Sequence, residues 1–122
     1  ENVCVSATFR GVPKPQAEID AGLALSMEKR KTSQPVAASA GCIFKNPSTC
    51  PAGKLIQELG LKGTRVGGAA VSDVHGNFIV NEGGASARDV LELITLVQRT
   101  AREQRGIDIE TEVQIIGDDT AF

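Results

Sequence analysis

Residues 86–106 constrain this chain more than any other stretch. Ser86, with Asp89 three residues later, has the pattern of a helix N-cap. Val90, Leu93, Ile94, Val97 and Ala101 then recur at helical spacing as one apolar stripe, and Gly106 supplies a stop. A long amphipathic helix must lay that stripe on other elements, and the remaining sequence predicts what they are.

Two weaker helices are expected. Pro15 suits a helix start, and Ile19, Leu23 and Met27 recur at helical spacing from about Gln16 to Lys31. The basic end of this segment, Lys29-Arg30-Lys31, complements the helix dipole. A short helix is predicted from about Ala52 to Leu59, with Leu55, Ile56 and Leu59 on one face and Gly60 as its stop.

Strand signals are short. Val3, Val5, Ala7 and Phe9 alternate with Cys4, Ser6 and Thr8. Thr32 to Ala40 reads as an extended linker, and Cys42 to Pro47 as a loop or short strand. Arg65 to Asn81 reads as two strands around a turn at His75-Gly76-Asn77. Ile107, Ile109, Val113 and Ile115 form one face of a final strand, opposite Asp108, Glu110, Glu112 and Gln114. Short strands mixed with about three helices predict an α+β fold with a small, mostly antiparallel sheet. Residues 1–14 are expected to be the last strand of a preceding domain, and residues 15–122 a domain of their own.

Composition narrows the function. The chain has 122 residues and a formal net charge of −2, which argues against a general electrostatic grip on nucleic acid or an anionic membrane. No run is long or apolar enough to cross a bilayer. Three cysteines, Cys4, Cys42 and Cys50, fit reduced cytoplasmic thiols, and metal-ligand spacing is absent. The start at Glu1, inside a strand signal, suggests a piece of a longer protein.

Superficial motifs fail. Ala52-Gly53-Lys54-Leu55 is similar to the end of a P-loop, but Leu55 replaces the magnesium-binding hydroxyl and Ser48 stands where the first glycine belongs. Gly67-Gly68 and Gly83-Gly84 suit turns, and His75 suits a turn or the surface. The unusual combination is Cys42-Ile43-Phe44-Lys45-Asn46-Pro47 after the small residues Ala38 to Gly41. Taken singly, Cys42 reads as an inert buried thiol, Lys45 as a surface charge and Asn46-Pro47 as a turn. Together they place a proton donor, a cation and an amide on one loop, a set suited to a polar, anionic ligand.

Ala40 to Pro47 resembles the signature Ala-Gly-Ser/Cys-x-Phe-Lys/Arg-Asn-Pro of the UDP-N-acetylenolpyruvoylglucosamine reductases, also called UDP-N-acetylmuramate dehydrogenases. Ala52 to Ile56 with Leu61-Lys62-Gly63, then Val66 to Ser72, Phe78 to Asn81 and Glu110 to Gly117 are similar to that family's later blocks, in the same order. Cys4 to Arg10 resembles the last strand of its flavin domain.

The resemblance implies reduction of the enolpyruvyl ether of UDP-N-acetylglucosamine to UDP-N-acetylmuramate, in peptidoglycan precursor synthesis, with hydride passing from NADPH through FAD. It implies Cys42 as the proton donor and Glu112 as a catalytic carboxylate. It further implies Asn46, Lys45, Glu82 and Lys31 as substrate-binding residues near the diphosphate. Gln114 departs from the arginine common at that position in the family. The family's catalytic arginine and glycine-rich flavin loop match nothing in this chain, so FAD is expected on the chain's own flavin domain and the piece alone is expected to be inactive. A stand-alone nucleotide-sugar binding module, and a thiol-redox protein using Cys42 and Cys50, are the competing readings.

Overall fold

The computed structural model describes residues 4–117, in two compact units divided between Thr32 and Ser33. In the first unit residues 4–15 have no regular secondary structure, and α1 follows over Gln16–Ser33. The strand expected over 3–9 is therefore not formed at residues 4–9, and Val3 lies outside the described residues. Alternation alone makes no strand, because a strand needs a partner for its backbone groups. Helix α1 ends two residues beyond its expected limit, carries Arg30 and Lys31 in its last turn and buries none of its residues.

The second unit is an α+β fold. Strands β1 (Ser39–Cys42), β2 (Arg65–Val66), β3 (Ala69–Val71) and β4 (Phe78–Asn81) form one antiparallel sheet in the order β1-β4-β3-β2. Helices α2 (Ala52–Glu58) and α3 (Ala87–Arg105) complete it. Arg65 to Asn81 thus yields three strands where two were expected, because Gly67 and Gly68 turn the chain back after only two residues of β2. Gly67 has φ +52°, a conformation that favours glycine there.

Helix α3 forms as its sequence predicts. The Ser86 hydroxyl accepts from the Asp89 N–H at 3.2 Å, and the Asp89 carboxylate accepts from the Ser86 N–H at 2.9 Å. The same carboxylate accepts from Gly68 at 3.3 Å, which ties the start of α3 to the β2–β3 turn. Gly106 closes the helix at φ +64°.

Leu93, Ile94, Val97 and Ala101 of α3 meet Ala52, Leu55 and Ile56 of α2, Ala69, Val71 and Ile79 of the sheet, and Ile43, Phe44 and Ile109. Each fully buried side chain of Leu93 size contributes about 1.5–3 kcal/mol by leaving water. The expected final strand is reduced to one antiparallel bridge, Thr111 to Phe44. Ile109 is buried and Ile107 and Val113 are partly so, but Ile115 is 60% exposed. The apolar face persists only as far as the core it covers.

Candidate active site

The loop that follows β1 is built from both sides. Gly41 has φ +84°, and β1 pairs with β4 irregularly: Ser39 faces Val80 whereas Cys42 faces Phe78, one residue out of step. Ile43 and Phe44 then dive into the core at 2% exposure each, which turns Cys42 and Lys45 outward. From the other side, the Glu112 N–H donates to the Ile43 carbonyl at 2.8 Å, and Lys45 N–H donates to the Glu110 carbonyl at 2.9 Å. These bonds bring the closing segment against the loop.

Cys42 and Glu112 line one concavity together with Asn46, Lys54, Gln57, His75 and Asn77. Partial burial pushes the Cys42 thiol above its ordinary range, and the Glu112 carboxylate pushes it further in the same direction. A hydrogen bond with the Asn77 side chain acts oppositely but does not reverse the rise. The thiol remains solvent-accessible. Lys45 does not act on the thiol: its ammonium pairs with Glu110 at 3.0 Å and lines a neighbouring depression with Pro47, Ser48 and Asp108.

Asn46 reaches both depressions. Its side-chain oxygen accepts from the Ala52 N–H at 2.9 Å at the start of α2, so its NH₂ end is the part able to meet a ligand oxygen. Glu82 follows β4 at the end away from Phe78, and Phe78 is the residue that faces Cys42. The Arg65 guanidinium grips Glu82 through both of its terminal nitrogens. Lys31 stands in the last turn of α1, in the first unit. Gln114 lies on an apolar groove with Ile43, Val90 and Ile94. Cys50 packs against the core. Among the described residues no group of three or more His, Cys, Asp or Glu gathers as a metal site, and no helix is long and apolar enough to cross a membrane.

Residues 33–116 match the family described as UDP-N-acetylenolpyruvoylglucosamine reductase, C-terminal domain. The chain belongs to this family. A UDP-N-acetylenolpyruvoylglucosamine reductase of Bacillus licheniformis is 49% identical over 117 residues, covering 95% of this chain and 64% of the relative. The enzyme of that name from Bacillus subtilis is 47% identical over 116 residues, 94% of this chain and 38% of its own. The crystal structure of UDP-N-acetylenolpyruvylglucosamine reductase from Thermus caldophilus superposes with a TM-score of 0.68 at 48% identity, over 83% of this chain and 35% of that one. This chain therefore spans less than two thirds of the length of these curated relatives.

Within this family's domain, three residues that line the concavity escaped the sequence reading. His75 does occupy a turn, its carbonyl accepting from Phe78 N–H at 3.0 Å, but its ring also forms a wall of the Cys42 concavity. Gly53 is small for the same reason: a Cβ there would lie 2.8 Å from His75 Cε1. Lys54, read only as part of a failed P-loop, is the cation on the thiol's own concavity. The position of Lys54 one turn before Glu58, with which it pairs at 3.7 Å, was visible in the sequence, but its place on the lining of the Cys42 concavity depends on tertiary contact.

Proposed function

We propose that this chain is the substrate-binding and proton-donating part of a longer cytoplasmic flavoenzyme. That enzyme reduces UDP-N-acetylglucosamine enolpyruvate to UDP-N-acetylmuramate with NADPH and FAD, supplying peptidoglycan precursors. The observation that carries the proposal is the meeting of the Cys42 thiol and the Glu112 carboxylate on one solvent-reached concavity.

The described residues of the second unit do not fit a flavin. The start of α3 is occupied by the Asp89 carboxylate, and the first N–H of α2 already donates to Asn46. A carboxylate at the start of α3 repels a flavin diphosphate there, and the first donor of α2 is already taken up by Asn46. We therefore assign FAD to other parts of the longer protein, and no step is derived through it.

Adding hydrogen across an enolpyruvyl double bond takes a hydride at one carbon and a proton at the carbon beside the carboxylate. The proton half suits this chain. A thiol held above its ordinary value of about 8.5 is protonated at neutral pH yet is a stronger acid than a hydroxyl. Cys42 gives its proton to the carbon, and the thiolate left behind is reprotonated from water. Glu112 orients the enolpyruvyl end and assists proton delivery. The NH₂ group of Asn46, with Lys45 and Glu82, serves the nucleotide-sugar portion, and Lys54, paired with Glu58, adds a cation to the lining of the thiol's concavity.

Turnover of the longer protein in D₂O with NADPH and UDP-N-acetylglucosamine enolpyruvate tests this reading. The product should carry deuterium at the lactyl carbon next to the carboxylate. A longer protein that binds the sugar nucleotide but oxidises no NADPH in its presence would instead be a binding module.

A further inference from the structure

We propose that Asn77 is a positioning residue for proton transfer, holding Cys42 and Glu112 in register through the backbone of Ile43 and Phe44. The inference rests on the proposed reaction and names what fixes the geometry of its proton donor.

The sheet alone leaves that geometry loosely determined. Cys42 ends β1 just past the one-residue irregularity in its pairing with β4, and Gly41 before it has φ +84°. A bulged strand end is a poor constraint on the residue that terminates it. Asn77 supplies the missing constraint. Its Nδ2 donates to the Phe44 carbonyl at 2.8 Å, its Oδ1 accepts from the Phe44 N–H at 2.9 Å, and its own carbonyl accepts from the Ile43 N–H at 2.9 Å. Only one orientation of the amide satisfies both Phe44 groups, so the side chain reads the backbone direction as well as its position.

Asn77 is itself rigidly held. It is 4% exposed. Its N–H donates to His75 Nδ1 at 3.1 Å, and the Ser72 hydroxyl accepts from the Val74 and His75 N–H groups at 3.1 and 3.3 Å. Both reacting groups depend on the clamped segment. Cys42 is the residue before Ile43, and the Glu112 N–H donates to the Ile43 carbonyl at 2.8 Å. Loosening Phe44 therefore displaces donor and carboxylate together.

Neither aspartate nor alanine at this position fulfils both bonds. Aspartate keeps the size and the acceptor but turns a second oxygen toward the Phe44 carbonyl. Alanine removes both bonds and leaves two buried backbone groups unpaired.

The test uses the longer, FAD-containing protein with Asn77→Asp and Asn77→Ala, following the two half-reactions separately by flavin absorbance. Reduction of the flavin by NADPH should match the unsubstituted protein. Reoxidation by UDP-N-acetylglucosamine enolpyruvate should slow by about 10²-fold, the usual effect of a misplaced reacting group, with kcat falling and KM little changed. A folded Asn77→Asp protein with normal reoxidation overturns the inference. If Asn77→Ala does not fold, Asn77→Asp decides; loss of folding in both overturns a positioning role in favour of a purely structural one. Unsubstituted protein that reduces its flavin but never passes the electrons to this sugar nucleotide overturns the proposed function, and this inference with it.

Discussion

Glu112 is delivered to the site by its backbone: its N–H donates to the Ile43 carbonyl at 2.8 Å, one residue from Cys42. The carboxylate thereby comes close enough to raise the thiol's pKa. The proposed proton step uses this pairing of a carboxylate with a thiol of raised pKa.

The Cys42 position should separate proton donors by acidity. Cys42→Ser in the longer protein should retain measurable turnover. Cys42→Ala should leave flavin reduction intact and slow transfer to substrate by about 10²–10⁴-fold, the range general acid catalysis contributes. Stopped-flow traces of the two half-reactions check this, and equal transfer by the alanine protein would exclude Cys42 as the donor.

The pH behaviour follows from the sign of the thiol's shift. In the proposed reaction the protonated thiol is the working form, and its pKa is raised, so activity should hold through neutral pH and fall as pH rises through that elevated value. Glu112→Gln removes one cause of the elevation, so the thiol should titrate at lower pH. Iodoacetamide labelling of Cys42 against pH, read by mass spectrometry, should show the midpoint of the Glu112→Gln protein displaced downward.

The α3 cap gives a prediction about stability. The Asp89 pKa is lowered chiefly by the Ser86 backbone N–H, then by the Ser86 hydroxyl and the Gly68 N–H. A depressed carboxylate stabilises the fold fully above its unfolded value of about 3.9, and that contribution is lost as pH falls through the lower folded value. Thermal unfolding of Asp89→Asn should therefore differ from the unsubstituted chain at pH 7 and converge with it in strong acid. Ser86→Ala, which removes the other half of the cap, should cost about 1 kcal/mol.

Packing around the β2–β3 turn is equally specific. A Cβ on Gly68 would strike the Gly83 carbonyl and the Ala85 backbone, neither of which can rotate away. Gly68→Ala should destabilise the second unit by about 1–3 kcal/mol, measured as a lower urea midpoint with unchanged slope. Leu93→Ala, at 0% exposure in the core, should cost about 2–5 kcal/mol in the same assay.

Much of the fold was legible because local signals agreed with the tertiary outcome. Ser86, Asp89 and Gly106 marked the limits of α3, and its stripe is the one that is buried. The three-residue runs Ala69–Val71 and Phe78–Val80 became central strands because both have neighbours to pair with. The same period of two misled at residues 4–9, which form no ladder, and at residues 107–115, where pairing stops after one bridge. In the site, the ordered family blocks pointed to Cys42 and Glu112, and the structure brings these two together. What no local pattern revealed was which charges neutralise one another. Lys45 looked like the cation nearest the thiol but turns to Glu110, while Lys54, itself paired with Glu58, and the His75 ring line the thiol's concavity from separate elements.

The bridge between Phe44 and Thr111 has a consequence for biosynthesis. The loop bearing Cys42 is synthesised before α2, β2, β3, β4 and α3, and its companion carboxylate after all of them. A nascent chain halted before Thr111 holds every strand and packed helix but lacks Glu112, so it carries no paired thiol and carboxylate. Pairing of the two groups waits for the segment that follows α3.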